Sequence, residues 1–118
     1  MGKETRSIIT EYTDISAFSG APAECKHHLC FGRGIRELAD QDGLWIPLTN
    51  SEHNMSPHGQ RYQVHENPPA EALSKMLGQM AWEKEYLLNE LDYTNYGKKQ
   101  VLKEAREQFR KRYGISYL

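Results

Sequence analysis

The histidines of this chain are clustered. His27 and His28 are adjacent, and His53 and His58 follow an apolar segment, so that four of the five histidines lie within 32 positions. A neutral imidazole can take a proton from water, because its unperturbed pKa of about 6.5 lies near the working pH. An imidazole can also bind a divalent metal ion through one ring nitrogen while a neighbouring group orients the other. The spacing therefore predicts a one-metal site suited to phosphodiester hydrolysis.

Two short apolar segments are expected to form strands, and the first contains the histidine pair. Residues 24–29 predict a strand that enters the pair, and residues 44–48 predict a second strand, which Pro47 places at an edge or a strand end. The glycine-rich segment between them is interpreted as a loop. Because neighbouring side chains point to opposite faces of a strand, His27 and His28 can share a cleft only if the strand ends or bulges there.

A short helix is expected to carry His53. Asn50 or Ser51 can cap this helix, and Pro57 limits its length. Five residues separate His53 from His58, which corresponds to about 140° around a helix of about 3.6 residues per turn. His58 is therefore expected beyond the end of the helix, where it can turn back toward His53.

The second half of the chain predicts two helices. Asn67 followed by two prolines is typical of a helix start, and the last helix is predicted over residues 98–113 with Gly114 as its stop. Apolar residues at three- and four-residue steps form a stripe that we interpret as core or a dimer seam: Leu73, Met76, Leu77, Met80, Leu87, Leu88 and Leu91. On the last helix, Val101, Leu102, Ala105 and Phe109 are expected to face inward.

Length and composition favour a single polar globular domain. The chain has 118 residues, 26% of them charged, and a mean hydropathy of -0.78. No apolar run approaches the about 20 residues of a membrane span, and the first residues lack a signal-peptide core, so we expect a cytoplasmic protein without a membrane partner. The two cysteines, Cys25 and Cys30, are expected to be free thiols.

Positive charge is concentrated in the last predicted helix. Residues 98–112 contain seven lysines and arginines against two glutamates. Such a strip can follow a phosphate backbone, and the alternative is a solvated helix face.

A structural zinc site is the other interpretation of the histidines. Cys25, Cys30, His27 and His53 offer four ligands, but the chain contains no Cys-x-x-Cys pair. The HExxH, P-loop and GxGxxG motifs are also absent, which excludes the common metalloprotease and nucleotide-binding patterns.

The segments around these histidines are similar to a known family. Residues 27–40, 42–48, 53–54, 58–59, 73–83 and 106–114 resemble the HNH, or His-Me finger, nucleases, most closely the small phage and prophage proteins linked to DNA recombination. The resemblance implies an α+β fold in which residues 23–66 form a ββα-metal finger. An N-terminal arm of residues 1–22 and a helical part of residues 67–118, with two helices, complete the single domain.

The resemblance also implies the roles of individual residues. His28 would be the general base, and His27, His53 and His58 would hold one divalent ion (Mg²⁺, Mn²⁺, Ni²⁺ or Zn²⁺). DNA would be cut with little sequence preference, in the bacterial cytoplasm, by a phage or prophage protein with a recombination protein as a further partner. The residues expected to contact phosphates are Arg33, Arg36, Lys98, Lys99, Lys103, Arg106 and Arg110.

The chain departs from the family pattern at two places. The asparagine of the motif has no match near Gly43 or Leu44, where it would help to orient the base histidine. Relatives often carry two zinc knuckles, and the matching positions here are Ser16, Ser19, Thr49 and Glu52, which predicts that no structural zinc is bound. The alternatives are a non-catalytic module that binds nucleic acid or protein, and a protein that dimerises or assembles through the helical part.

Overall fold

The chain folds into a mixed α+β structure with a two-stranded antiparallel sheet. A computed structural model describes residues 5–55, 63–89 and 97–118. The elements in order are strand β1 (Cys25–His28), helix α1 (Ile35–Gln41), strand β2 (Trp45–Leu48), a single π-helical turn (Ser51–Met55), helix α2 (Pro68–Asn89) and helix α3 (Lys98–Tyr113). The predicted α+β class is confirmed. None of the helices in the described part of the chain has the length and apolarity that a bilayer crossing requires.

The sheet separates the two adjacent histidines. His27 is paired with Ile46 and His28 with Trp45 across the antiparallel strands. Directly paired residues lie on the same face, so His27 shares the Ile46 face and His28 the Trp45 face. Both predicted strands are present, shortened by one or two residues at their ends.

The segment between the strands is a helix and not the loop that we predicted. Gly34, at φ 79°, reverses the chain, and the carbonyl of Gly32 accepts the amide of Ile35 at 3.0 Å. Helix α1 then buries Ala39 completely against the core. The seven residues of α1 bring its last turn beside the end of β1.

The N-terminal arm is held by hydrogen bonds to the start of β2. The amide of Ile8 donates to the carbonyl of Gly43 at 2.9 Å, and the indole of Trp45 donates to the carbonyl of Thr5 at 2.9 Å. A Cβ atom on Gly43 would lie 2.3 Å from the carbonyl oxygen of Arg6, and Gly43 has a φ of 73°. Only glycine fits this close approach.

The four knuckle positions meet in space and are hydrogen-bonded to one another. Ser16 is buried, and its hydroxyl donates to Oε1 of Glu52 at 2.5 Å. The same carboxylate oxygen accepts the amide of Thr49 at 2.9 Å, and the side chains of Ser19 and Thr49 add further hydrogen bonds. Together these hydrogen bonds hold the pKa of Glu52 below its ordinary value against the opposing effect of burial. A carboxylate thus joins the arm to the turn that carries His53.

Helix α2 buries four small or polar residues and exposes most of its aliphatic side chains. Its buried residues, which we call the inner face, are Ser74, Gly78, Gln79 and Glu83. Ala81 and Trp82 are partly buried against the core. Five residues of the predicted core stripe are exposed and form what we call the outer face: Leu73, Met76, Leu77, Met80 and Leu88. The prediction that these five residues are core is therefore wrong, whereas a role as a dimer seam stays a prediction. Leu87 is partly buried. Leu91 lies outside the described residues.

Gly78 explains how closely α2 approaches the end of β1. A Cβ atom at this position would lie 2.7 Å from Sγ of Cys30 and 3.0 Å from Cβ of Leu29. Any larger residue would push the helix away, because packed side chains yield little. The glycine therefore brings the inner face of α2 against the histidines.

Helix α3 has the predicted bounds and closes the core. Phe109 and Ala105 are fully buried, and Gly114 ends the helix with a φ of 78°. Leu102, predicted to face inward, is 62% exposed, so that prediction is wrong. Asp42 ties the helices together, since its carboxylate accepts hydrogen bonds from Trp82 of α2 and from Arg112 and Tyr113 of α3.

Candidate metal centre

Three histidine side chains converge beside the end of β1. One ring nitrogen from each of His27, His53 and His65 lies within 4.8 Å of the others. The ring centroids are 5.1 Å apart for His27 and His53, 5.1 Å for His27 and His65, and 4.6 Å for His53 and His65. These three imidazoles could hold one metal ion. Nitrogens bound to one ion at about 2.0–2.1 Å are at most about 4.2 Å apart, so metal binding would draw the rings slightly closer together.

The tautomer of His27 follows from its contact with Ser74 on α2. The hydroxyl of Ser74 donates its only proton to the carbonyl of Leu29 at 2.8 Å. Ser74 must therefore accept at its other contact, where Nε2 of His27 lies 2.7 Å away. Nε2 of His27 carries the proton, and Nδ1 carries the free lone pair.

This free nitrogen is buried. His27 is 1% exposed, and its Nδ1 has no hydrogen-bond partner among the described residues. A buried acceptor without a partner costs about 1–3 kcal/mol, so such atoms are rare in folded proteins. A metal ion at the cluster would satisfy this nitrogen.

His53 and His65 are brought together by paired backbone segments. The amide of Val64 donates to the carbonyl of Glu52 at 2.9 Å, and the amide of His65 donates to the carbonyl of His53 at 3.0 Å. The Glu52 hydrogen bonds to the arm fix one of these segments, and the start of α2 fixes the other.

Glu71 orients the ring of His65. Its Oε2 lies 3.1 Å from Nδ1 of His65, in the first turn of α2. The carboxylate accepts the Nδ1 proton, which leaves Nε2 of His65 as the nitrogen with a lone pair. Carboxylate and hydroxyl groups that orient ligating histidines in this way are typical of metal sites in proteins.

The surroundings of His27 and His53 favour neutral rings. Burial, followed by the charges of His53, His65 and His28, lowers the pKa of His27 to about 3. Burial and the charges of His65, His28 and Arg36 lower the pKa of His53 to about 4. Phe31 packs against the rings of His27 and His65 with centroids at 5.7 and 4.7 Å. Neutral imidazoles with a partly apolar wall are ready to bind a metal ion without first losing protons.

His28 lies on the other face of the sheet, in contact with α1. Its Nε2 is 2.9 Å from Oδ1 of Asp40. Both residues line an open groove of about 460 Å³ together with Arg36, Glu37 and Gln41. His28 and Arg36 are near enough to His53 for their charges to affect its pKa. The residues that line this groove do not include His27, His53 or His65.

The structure brings together two of the three predicted metal ligands. His27 and His53 belong to the cluster, whereas His58 lies outside the described residues. His65 was not predicted as a ligand, because it lies outside the 32-position segment that holds the other four histidines. Its position two residues before a helix cap, with Glu71 one turn into the helix, is the sequence feature that could have indicated it.

The residues predicted to contact phosphates differ in their surroundings. Arg33, Arg36, Lys99 and Lys103 are exposed. Arg106 pairs with Glu83, at 3.3 Å, and Arg110 pairs with Glu107. The side chain of Lys98 is outside the described set. These ion pairs reduce the positive charge that the last turns of α3 offer to a phosphate backbone.

The cysteines do not join the cluster in the described part of the chain. Cys30 is buried, and burial raises the pKa of its thiol to about 12. Burial, with the charges of Glu24 and Glu52, also raises the pKa of Cys25. Because zinc binds the thiolate, these environments disfavour the four-ligand zinc site of Cys25, Cys30, His27 and His53.

Comparisons with known proteins add no relative. No model of a protein family matches the chain, no curated protein matches it, and no solved structure matches its fold.

Proposed function

We propose that the chain is a metal-dependent endonuclease of the HNH type that hydrolyses DNA phosphodiester bonds. The observation that carries the proposal is the convergence of His27, His53 and His65 with a buried, unpartnered nitrogen on His27. In this proposal the two strands and the turn that carries His53 are a ββα-metal finger, with α1 inserted between the strands.

The site supplies the groups that phosphodiester hydrolysis needs. A divalent ion held by the three imidazoles would stabilise the negative charge on the phosphate and on the leaving oxygen. His28, which ends β1 and lines the groove beside α1, would take a proton from the attacking water. Arg36 lines the same groove and would contact a phosphate oxygen, since a guanidinium is well suited to bidentate phosphate binding.

DNA is the substrate that the distribution of charge favours. Arg33 and Arg36 are exposed at the start of α1, and Lys99 and Lys103 are exposed on α3. Contacts of this kind with a phosphate backbone release counterions, so the affinity for DNA should fall steeply as the salt concentration rises. The identity of the metal ion, Mg²⁺, Mn²⁺, Ni²⁺ or Zn²⁺, is part of what the assay determines.

A plasmid-nicking assay tests the proposal. Supercoiled plasmid is incubated with the metal-free protein and each of the four ions in turn, and nicked circles are quantified. We expect cleavage with at least one ion, and a loss of about 10²- to 10⁴-fold in the His28→Ala variant. Lys84→Ala, at an exposed position about 15 Å along α2 from Ser74, is the control and should cut like the wild type.

Two results would contradict parts of this proposal. Cleavage that persists unchanged in His28→Ala would exclude this residue as the base. Absence of cleavage with every ion would favour the second candidate, a non-catalytic binding module, which is supported by the exposed apolar outer face of α2. Apolar patches of this kind often mark protein contacts.

A further inference from the structure

The carboxylate of Asp40 faces the ring of His28 across the gap between α1 and β1. The two residues are 12 positions apart, and the turn at Gly34 folds α1 back so that its last turn reaches the end of β1. Oδ1 of Asp40 lies 2.9 Å from Nε2 of His28, and the His28 side chain is 11% exposed. The ring of His28 is therefore largely buried, whereas its partner Asp40 is 47% exposed at the groove.

A cation on the same face of the sheet supports this carboxylate. Lys26 precedes His28 by two residues, and its Nζ lies 4.0 Å from Oδ1 of Asp40. The same Nζ is 4.4 Å from the ring centroid of Trp45, which is paired with His28 across the sheet. Lys26, Asp40 and His28 thus form a fixed set of charged and polar groups.

The proton shared between His28 and Asp40 lies on His28. The hydrogen bond from His28 holds the pKa of Asp40 below its ordinary value, and the charges of His28, Lys26 and Arg36 act in the same direction. An ionised carboxylate can only accept hydrogen bonds, so Nε2 of His28 must donate. In the neutral ring of His28 the lone pair is then on Nδ1, the nitrogen opposite the carboxylate.

We propose that Asp40 is a positioning residue that holds His28 in the Nε2-protonated tautomer, with Nδ1 free to take a proton from water. The inference rests on the proposed function, in which His28 is the base. In that reaction Nδ1 accepts one proton of the water, the water oxygen bonds to phosphorus, and the ester P–O bond breaks with its electron pair on the leaving oxygen. Solvent protonates the leaving oxygen and later takes the proton from His28.

Kinetics of three variants test the role of Asp40. In Asp40→Ala we expect kcat to fall about 10- to 100-fold, as for other groups that orient a catalytic or ligating histidine, with KM and metal affinity within about twofold of the wild type. Asp40→Asn keeps an acceptor oxygen and should recover part of the loss. Asp14→Ala, an exposed aspartate of the arm, is the matched control and should not change kcat.

A double variant separates positioning from a general structural effect. If Asp40 acts through His28, adding Asp40→Ala to His28→Ala should cause no further loss of kcat. A further loss of the same size as in the single variant would overturn the inference. Equal kcat in Asp40→Ala and the wild type would overturn it as well.

Nitrogen NMR of the His28 ring gives a readout that does not depend on cleavage. The ring nitrogen shifts should show protonated Nε2 in the wild type and a mixture of tautomers in Asp40→Ala. Protonated Nδ1 in the wild type, or identical tautomers in both proteins, would overturn the inference. A wild type that cuts no DNA would contradict the proposed function, and the NMR result would still decide whether Asp40 orients His28.

Discussion

The inner face of α2 is buried although its residues are small or polar, and the outer face is exposed although its residues are apolar. The inner face is small and polar, and it contacts His27, Cys30 and the C-terminal tail. The outer face is apolar, with Leu73 66% exposed and Met80 58% exposed. The apolar burial of α2 comes instead from Ala81 and Trp82, which pack against the core, with Trp82 edge-on to Phe109. These apolar contacts and the polar contacts of the inner face together fix the position of α2.

The inner face is polar but its groups are satisfied. Gln79 donates to Glu83 and to Ser116, and its carbonyl oxygen accepts the amide of Tyr117. Glu83 also accepts from Arg106 on α3. Because each buried polar group has a partner, the cost of burying this face is offset. The face can therefore hold Ser74 against His27 without an apolar contact at that point.

The largest expected effect is the loss of metal affinity when one of the proposed histidine ligands is removed. His65→Ala should weaken binding of the divalent ion by at least about 100-fold, because removal of a direct ligand costs more than removal of a group that orients one. Calorimetric titration of the metal-free protein measures the affinity. The same titration on His58→Ala shows whether the sequence-based prediction of that ligand is correct. Unchanged affinity in His65→Ala would remove this residue from the site.

The second-largest effect is a loss of metal affinity expected from a substitution on the inner face of α2 but not from one on the outer face. Ser74→Ala removes the acceptor that fixes the tautomer of His27 and should weaken metal binding by about 10- to 100-fold. Leu73→Ala, one position earlier on the outer face, should leave the metal affinity unchanged. If both substitutions have the same effect, the contact between the inner face and His27 does not determine the site.

Stability of the metal-free protein should fall as the pH is lowered below about 6.5. His27 and His53 have pKa values of about 3 and about 4 in the folded protein, so between these values and 6.5 the unfolded chain binds more protons. We expect the free energy of unfolding to fall by about 3–4 kcal/mol between pH 7 and pH 5, about 2 kcal/mol from each of the two histidines. Urea unfolding at several pH values measures this change, and His27→Gln should show a smaller one.

The smallest expected effect concerns the outer face. Met80→Lys should change the free energy of unfolding by less than about 0.5 kcal/mol, as is usual for exposed positions. Sedimentation of the wild type and of this variant tests the alternative role of the face as a dimer seam. A dimeric wild type that becomes monomeric in Met80→Lys would show that the outer face is covered in solution.

Local rules of the backbone account for the parts of the fold that the sequence predicted. Pro68 follows a capping asparagine, and Oδ1 of Asn67 accepts the amide of Ala70 at 3.3 Å. Gly114 takes the left-handed conformation that ends α3. Both features depend only on neighbouring residues, so they can be recognised without knowledge of the tertiary structure.

The parts that were missed depend on contacts distant in sequence. Periodicity identified a stripe on α2 but could not show which face is buried, because Gly78 and Cys30 are far apart in the chain. Helix α1 is short and flanked by glycines, which favoured a loop. Its helical form brings Asp40 to His28, and this contact supplies a partner for the proposed base, for which the sequence offers no match to the asparagine of the HNH motif.

The measurement that tests the account most directly is anomalous diffraction from crystals soaked with Zn²⁺ or Mn²⁺. We predict one strong peak per chain, about 2 Å from Nδ1 of His27 and from one ring nitrogen each of His53 and His65. The same experiment on His27→Ala should remove the peak. Crystals that bind the ion elsewhere, or that leave the three imidazoles without an ion at saturating metal, would contradict the proposed metal centre.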